Sequence, residues 1–171
     1  ATQRGVMVIN CPDYGSDTVA DHAFALLIAL ARRIPVLERV MQKNAWAWPA
    51  AEYLGVDLSG KTIGLVGFGR IGRCIARRAE GFSMTQLATD PYVDFAIFDD
   101  YGVQSAGLDE MLERSDFVSI HCVLTPETTG LIGEAELKRM KDTAFLIDVS
   151  RGAIIDEGAL IRALDENAIA G

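Results

Sequence analysis

Apolar and polar positions fall into two alternating kinds of block along this chain. Short apolar runs, several of them β-branched, are followed by longer stretches in which apolar residues recur every three or four positions. The short runs predict strands at Gly5–Asn10, Thr62–Val66, Met84–Thr89, Phe117–His121 and Ala144–Val149, with a further short one at Val103-Gln104. The longer stretches predict helices at Val19–Leu30, Glu38–Trp48, Arg70 onward through Ala79, Leu108–Arg114, Glu134–Met140 and Asp156–Glu166. Asp94–Tyr101 reads as a loop or a short helix. Strand–helix alternation of this kind implies an α/β fold of the Rossmann type: a doubly wound parallel sheet with helices on both faces.

The first long helix departs from the pattern. Val19 to Leu30 is apolar on nearly every face, whereas a surface helix needs only one apolar stripe, so the expectation is burial from several sides. Either the domain itself covers it or a second subunit does. Thr18 is placed to cap it, with Asp21 three residues on, and Pro35 marks a break after Arg32 and Arg33. Trp46 and Trp48 add aromatic bulk that needs a packing partner.

The strand at Thr62–Val66 runs straight into Gly67-Phe-Gly69-Arg-Ile-Gly72, and a helical pattern opens at Arg70. Gly67 permits a tight turn, Gly69 leaves the backbone open to a pyrophosphate, and Gly72 lets helix and strand pack closely. The positive end of the helix then faces the phosphates. The second strand ends at Asp90, 18 residues beyond Gly72, where a carboxylate can take both hydroxyls of an adenosine ribose. Strand, glycines, helix and acid in this order predict a dinucleotide site.

Composition narrows the class. The 171 residues suit one domain with a real core, half of them are hydrophobic, and 23% are charged. A formal charge of −8 argues against nucleic acid or an anionic membrane as partner. Cys11, Cys74 and Cys122 are far apart and form no C-x-x-C pair, which fits a reducing compartment and no zinc site. The longest apolar run, Val19–Ala31, is interrupted by Asp21 and His22 and too short to span a bilayer, and no signal peptide is read at the start. The expectation is a cytoplasmic protein.

Other chemistry belongs at the carboxyl ends of the strands, where open parallel sheets bind ligands. Arg151, in Asp148-Val-Ser-Arg-Gly152, could hold a carboxylate substrate in two hydrogen bonds, or pair with Asp148 or Asp156. His121 is expected to line the cleft, with acid–base work the lesser reading, and His22 to be a structural histidine inside its helix.

With Val19-Ala-Asp-His22, Gly67-Phe-Gly-Arg-Ile-Gly72, Asp90-Pro91, His121-Cys-Val-Leu-Thr125 with Thr128, and Asp148-Val-Ser-Arg-Gly-Ala153 in order, the chain resembles the D-isomer-specific 2-hydroxyacid dehydrogenase family. The resemblance implies NAD as cofactor. Arg70 and Ile71 would offer N–H groups to its pyrophosphate, Asp90 would take the ribose diol with Pro91 beside it in the cofactor site, and Cys122, Val123 and Thr128 would line the adenosine side, with His121 in the cofactor cleft. Val149, Ser150 and Arg151 would lie by the nicotinamide, Arg151 orienting the substrate, with Tyr14 on the substrate side. The implied reaction moves a hydride between nicotinamide and C2 of a D-2-hydroxy or 2-keto acid. Val123 stands where the family usually has proline, and Asp148 where asparagine is frequent. By the same likeness residues 1–17 are a strand and link from a substrate domain, and residues 18–171 are an NAD-binding domain without its C-terminal edge. The catalytic glutamate and histidine would lie past Gly171, so these residues alone are expected to be inactive. The resemblance also points to a homodimer through the Val19–Leu30 helix and the Trp46/Trp48 region. An NAD-sensing module like the C-terminal-binding-protein corepressors, or a formate- or phosphite-type dehydrogenase, is the alternative within the same superfamily.

Overall fold

The computed structural model describes residues 2–11, 13–46 and 50–171. Five parallel strands form one sheet: β1 (Thr62–Val66), β2 (Thr85–Thr89), β3 (Gln104–Ser105), β4 (Phe117–Ile120) and β5 (Phe145–Asp148). Their order across the sheet is β3-β2-β1-β4-β5. The chain therefore winds one way from β1 to β3 and the other way from β1 to β5, so β1 and β4 flank the point where the order reverses. Register aligns Val66 with Thr89 on one side and with Ile120 on the other, and Ile120 with Asp148. Four strands thus end level, and a ligand crevice forms at such an edge.

The helices are α1 (Ser16–Ala31), α2 (Ile34–Asn44), α3 (Arg70–Gly81), α4 (Phe95–Asp100), α5 (Leu108–Arg114), α6 (Glu134–Arg139) and α7 (Glu157–Asp165). The central strands β1 and β4 are buried on both sides, and successive residues serve opposite layers. Ile63, Leu65, Phe117 and Ile147 pack with Phe24 and Leu27 of α1 and with Ile75 of α3. Val66, Leu87, Val118 and Ile120 pack with Met111 and Leu112 of α5, Leu137 of α6 and Ala159 of α7. Complete burial of a side chain such as Leu65 or Phe117 contributes about 1.5–3 kcal/mol. Two cores on two faces are what a continuous apolar strand requires.

The opposite edge of the sheet is pinned by Asp116. Its carboxylate accepts the Thr62 N–H at 2.8 Å and the Lys141 ammonium at 2.9 Å, tying the starts of β1 and β4 to the approach to β5. Despite partial burial, which acts to raise it, those two donors hold the Asp116 pKa below the ordinary carboxylate value. At the free edge of β5, the Ala170 N–H donates to Ala144 O and the Leu146 N–H donates to Gly171 O.

Several expectations need correction. Residues 6–10 form no strand; Val6, Met7, Val8 and Ile9 are irregular and exposed. A strand needs a neighbour for its N–H and C=O groups, and no described residue supplies one. Helix α1 starts at Ser16 on Gly15, with no side-chain cap, so Thr18 does not cap it. It is buried along one face only, through Ala20, Ala23, Phe24, Leu27 and Ala31 against α3 and β5. Asp21, His22, Ala25 and Leu26 are exposed, and His22 is therefore not a structural histidine of the interior. Helix α2 begins at Ile34, four residues before its apolar pattern suggests, because Pro35 fits a first turn where its missing N–H costs nothing. None of its residues is buried. Trp46 is exposed, and Trp48 lies outside the described residues. No described helix is long and apolar enough to cross a membrane.

Candidate functional site

The glycine turn is built as its spacing requires. Gly67 has φ +94°, and a Cβ there would lie 2.8 Å from Cys122 N and 2.9 Å from Cys122 Cα, so the turn packs directly on the exit of β4. A Cβ on Gly72 would overlap the Gly67 carbonyl, which is how closely α3 sits on the turn. Around Gly69, by contrast, a Cβ would meet nothing within 4 Å. That exposed glycine caps α3, whose first N–H groups have no acceptor within their own helix. A diphosphate fits this combination of open backbone and positive helix end.

Asp90 closes one side. Its Oδ2 accepts the Phe68 N–H at 2.8 Å and its Oδ1 accepts the Tyr92 N–H at 3.0 Å. Backbone thus fixes the carboxylate beside the turn, half-buried, with lone pairs left for a diol. Pro91 is exposed next to it. Below them the Gly67 N–H donates to Thr89 O, locking the turn to the end of β2.

On the other side, β4 delivers His121, Cys122 and Val123. The His121 N–H donates to Val66 O, so the exit of β4 lies against that of β1. Both ring nitrogens of His121 are buried without a hydrogen-bond partner among the described residues. Burial pushes its pKa down to about 3, which leaves it neutral near pH 7 and a poor proton donor. Burial also pushes the Cys122 thiol up, and the carboxylates of Asp148 and Asp90 add to this. Cys122 therefore sits as a neutral thiol within electrostatic reach of the ends of both β2 and β5. Val123 is exposed, while Thr128 anchors the loop by donating to Val123 O at 2.7 Å and accepting the Thr125 N–H at 2.7 Å.

The exit of β5 carries the last group. Asp148 Oδ1 accepts the Ser150 N–H at 2.7 Å and the Ser150 hydroxyl at 2.5 Å. Asp156 is spent on the start of α7, accepting the Ala159 N–H. Neither acid pairs with Arg151, whose guanidinium donates to the Ser150 carbonyl at 2.8 Å and meets no carboxylate among the described residues. An exposed, uncompensated guanidinium at a strand end is a ready partner for a carboxylate ligand. Val149 is half-buried beside it. Tyr14 is exposed in the link before α1.

The structure thus gathers Gly67, Gly69, Arg70, Ile71, Gly72, Asp90, His121, Cys122, Val149, Ser150 and Arg151 at one edge of the sheet. It also places there a residue that sequence reasoning missed: Asp13, whose Oδ1 lies 2.9 Å from Arg70 Nε. Nothing in a sequence marks a pair 57 residues apart. A separate polar cavity of about 500 Å³, lined by Arg77, Glu80, Asp100, Tyr101 and Gly102, shares no residue with the site. No group of three or more acidic, cysteine or histidine residues able to hold a metal is found among the described residues.

Residues 24–171 match the D-isomer specific 2-hydroxyacid dehydrogenase, NAD binding domain, family. A glyoxylate reductase from Korarchaeum cryptofilum is 47% identical over 173 residues, covering 100% of this chain and 52% of that protein. A D-3-phosphoglycerate dehydrogenase from Archaeoglobus fulgidus is 38% identical, covering 99% of this chain and 32% of its own. Among solved structures, the apo form of D-lactate dehydrogenase from Escherichia coli superposes with a TM-score of 0.89 at 36% identity, over 99% of this chain and 53% of that one. The chain spans about half the length of the glyoxylate reductases it matches.

Proposed function

The chain belongs to the D-isomer-specific 2-hydroxyacid dehydrogenase family, as its NAD-binding domain, and from that membership we propose that it serves an enzyme reducing a small 2-keto acid to the D-2-hydroxy acid. Glyoxylate is the first substrate to try, because glyoxylate reductases are among its relatives. The observation that carries the reading is the shared edge of the sheet: a glycine turn open at Gly69, a carboxylate at Asp90 fixed beside it, and Arg151, which meets no carboxylate among the described residues.

In this reading bound NAD supplies the hydride donor or acceptor, and the protein does the positioning. The start of α3 would hold the pyrophosphate, and Asp90 would accept the ribose hydroxyls. Cys122, Val123 and Thr128 border the adenosine side, while Val149 and Ser150 border the nicotinamide. Arg151 grips the substrate carboxylate through its fork and turns C2 toward the ring; a held geometry of this kind supplies much of the rate. Its charge would also favour negative charge developing on the oxygen at C2 of the substrate. Neutral His121 supports the cleft rather than donating the proton. Residues 18–171 act as the cofactor domain and residues 1–17 as a link to a substrate domain. The exposed apolar segment 6–9 suits a strand whose neighbour belongs to that domain.

The half-covered α1 and the largely exposed α2, which has no fully buried residue, support a homodimer. Leu26, Ile34, Val36, Met41 and Trp46 lie exposed along these consecutive elements, an apolar surface that a two-fold partner would cover. Three free cysteines suit a reducing, cytoplasmic setting. Oxidation of NADH by the full-length protein with glyoxylate, pyruvate and hydroxypyruvate tests the enzymatic reading. Turnover of at least one acid supports it; tight NAD binding without turnover of any would favour a cofactor-sensing role instead.

A further inference from the structure

The link ahead of α1 is tied to the mouth of the glycine turn. Arg70 is the first residue of α3 and directly follows the open Gly69, and its Nε lies 2.9 Å from Asp13 Oδ1. The two side chains are 56% and 74% exposed, so water screens the pair and it exchanges easily. Two kinds of anion therefore suit one guanidinium. A carboxylate and a phosphate present the same charge sign and the same paired oxygens to arginine. A phosphate at the start of α3 has the helix end in its favour as well.

We infer that Asp13 competes with the cofactor's pyrophosphate for the Arg70 guanidinium, so that the tether between link and glycine turn and full occupancy of the phosphate site exclude each other. This rests on the cofactor reading given above. The local charge balance points the same way. Asp13 brings a negative charge to the side of the turn where two more must arrive, and binding has to overcome that repulsion as well as part the pair. Removing the carboxylate therefore strengthens cofactor binding, the reverse of what loss of a ligand-contacting residue does.

The test is affinity for NAD, ADP-ribose and adenosine, measured at low and high salt on the full-length protein and its Asp13→Asn, Asp13→Ser, Arg70→Gln and Asp13→Asn/Arg70→Gln variants. Melting temperatures check that each variant folds. Both Asp13 variants should bind NAD and ADP-ribose about two- to fivefold more tightly at low salt, the scale of an exposed ion pair. The gain should shrink at high salt, be absent for adenosine, and be smaller when Arg70 is glutamine, where only the repulsion is left to relieve. Unchanged or weaker NAD binding by both Asp13 variants would overturn the inference, as would an equal gain for adenosine. Failure of the wild type to bind NAD at all would instead overturn the cofactor reading on which it stands.

Discussion

The Asp90 carboxylate accepts the Phe68 N–H at 2.8 Å, joining the tip of β2 to the middle of the glycine turn across 22 residues of sequence. With the Tyr92 N–H on its other oxygen, the Asp90 carboxylate is held in place beside the glycine turn. A 2′-phosphate would meet this carboxylate, and the residues that follow, Pro91, Tyr92, Val93 and Asp94, offer no cation. The protein should therefore prefer NAD to NADP. Asp90→Ala should lose about 1.5–3 kcal/mol of NAD affinity, the scale of hydrogen bonds to a charged group. Fluorescence titration of NADH and NADPH checks both statements, and equal wild-type affinity for the two would contradict them.

Arg151→Gln should lower kcat/KM for a 2-keto acid by about a hundredfold while leaving NADH affinity within a fewfold. Loss of a charged fork to a carboxylate costs about 3 kcal/mol, and every 1.4 kcal/mol is tenfold. Arg151→Lys should recover only part of the activity, because a lysine keeps the charge but not the paired donors. Steady-state kinetics on the full-length variants decides. A wild-type rate in Arg151→Gln would return the residue to a surface role.

Asp116 should matter to stability and not to cofactor. Asp116→Ala should destabilise the fold by about 1.5–3 kcal/mol at neutral pH, through loss of the Thr62 and Lys141 bonds. The sign of the pH effect follows from the lowered pKa. Below the unfolded value near 3.8, the unfolded chain takes a proton that the native carboxylate resists, so stability falls. The Asp116 contribution is thus complete well above pH 4 and is lost as pH drops through the native pKa beneath it. Chemical denaturation of wild type and variant from pH 7 to pH 3 should show the difference between them narrowing at the acid end.

Much of this was legible because it is local. The strand from Thr62, the glycine spacing, the start of α3 and the acid at Asp90 depend on near neighbours, and helix α5 at Leu108–Arg114 lies where its periodicity puts it. What was not legible depends on distant partners. Gly5–Asn10 has the composition of a strand, yet pairing is a property of two segments, and the described residues hold only one. The Val19–Leu30 pattern implied burial all round; the fold covers one face and leaves His22 and Leu26 outside. The Asp13–Arg70 pair and the freedom of Arg151 from Asp148 and Asp156 follow from loop geometry that no spacing rule encodes.

The uncovered side of α1 and α2 leads to a prediction about assembly. Sedimentation of the full-length protein at tens of micromolar should show a dimer, and Leu26→Glu with Met41→Glu should shift it toward monomer without unfolding it, since both side chains are already more than a third exposed. A wild-type monomer at that concentration would contradict the proposed interface.

The most direct measurement follows the hydride itself. NADH carrying deuterium at the transferred C4 position is incubated with the full-length protein and pyruvate or glyoxylate, and the product is examined by mass spectrometry and NMR. The account requires one deuterium at C2 of the hydroxy acid and, from pyruvate, the D enantiomer of lactate. It also requires the label to appear far more slowly with Arg151→Gln. Oxidised NAD without deuterium at C2, or formation of the L enantiomer, would contradict the assignment of this site to D-specific hydride transfer.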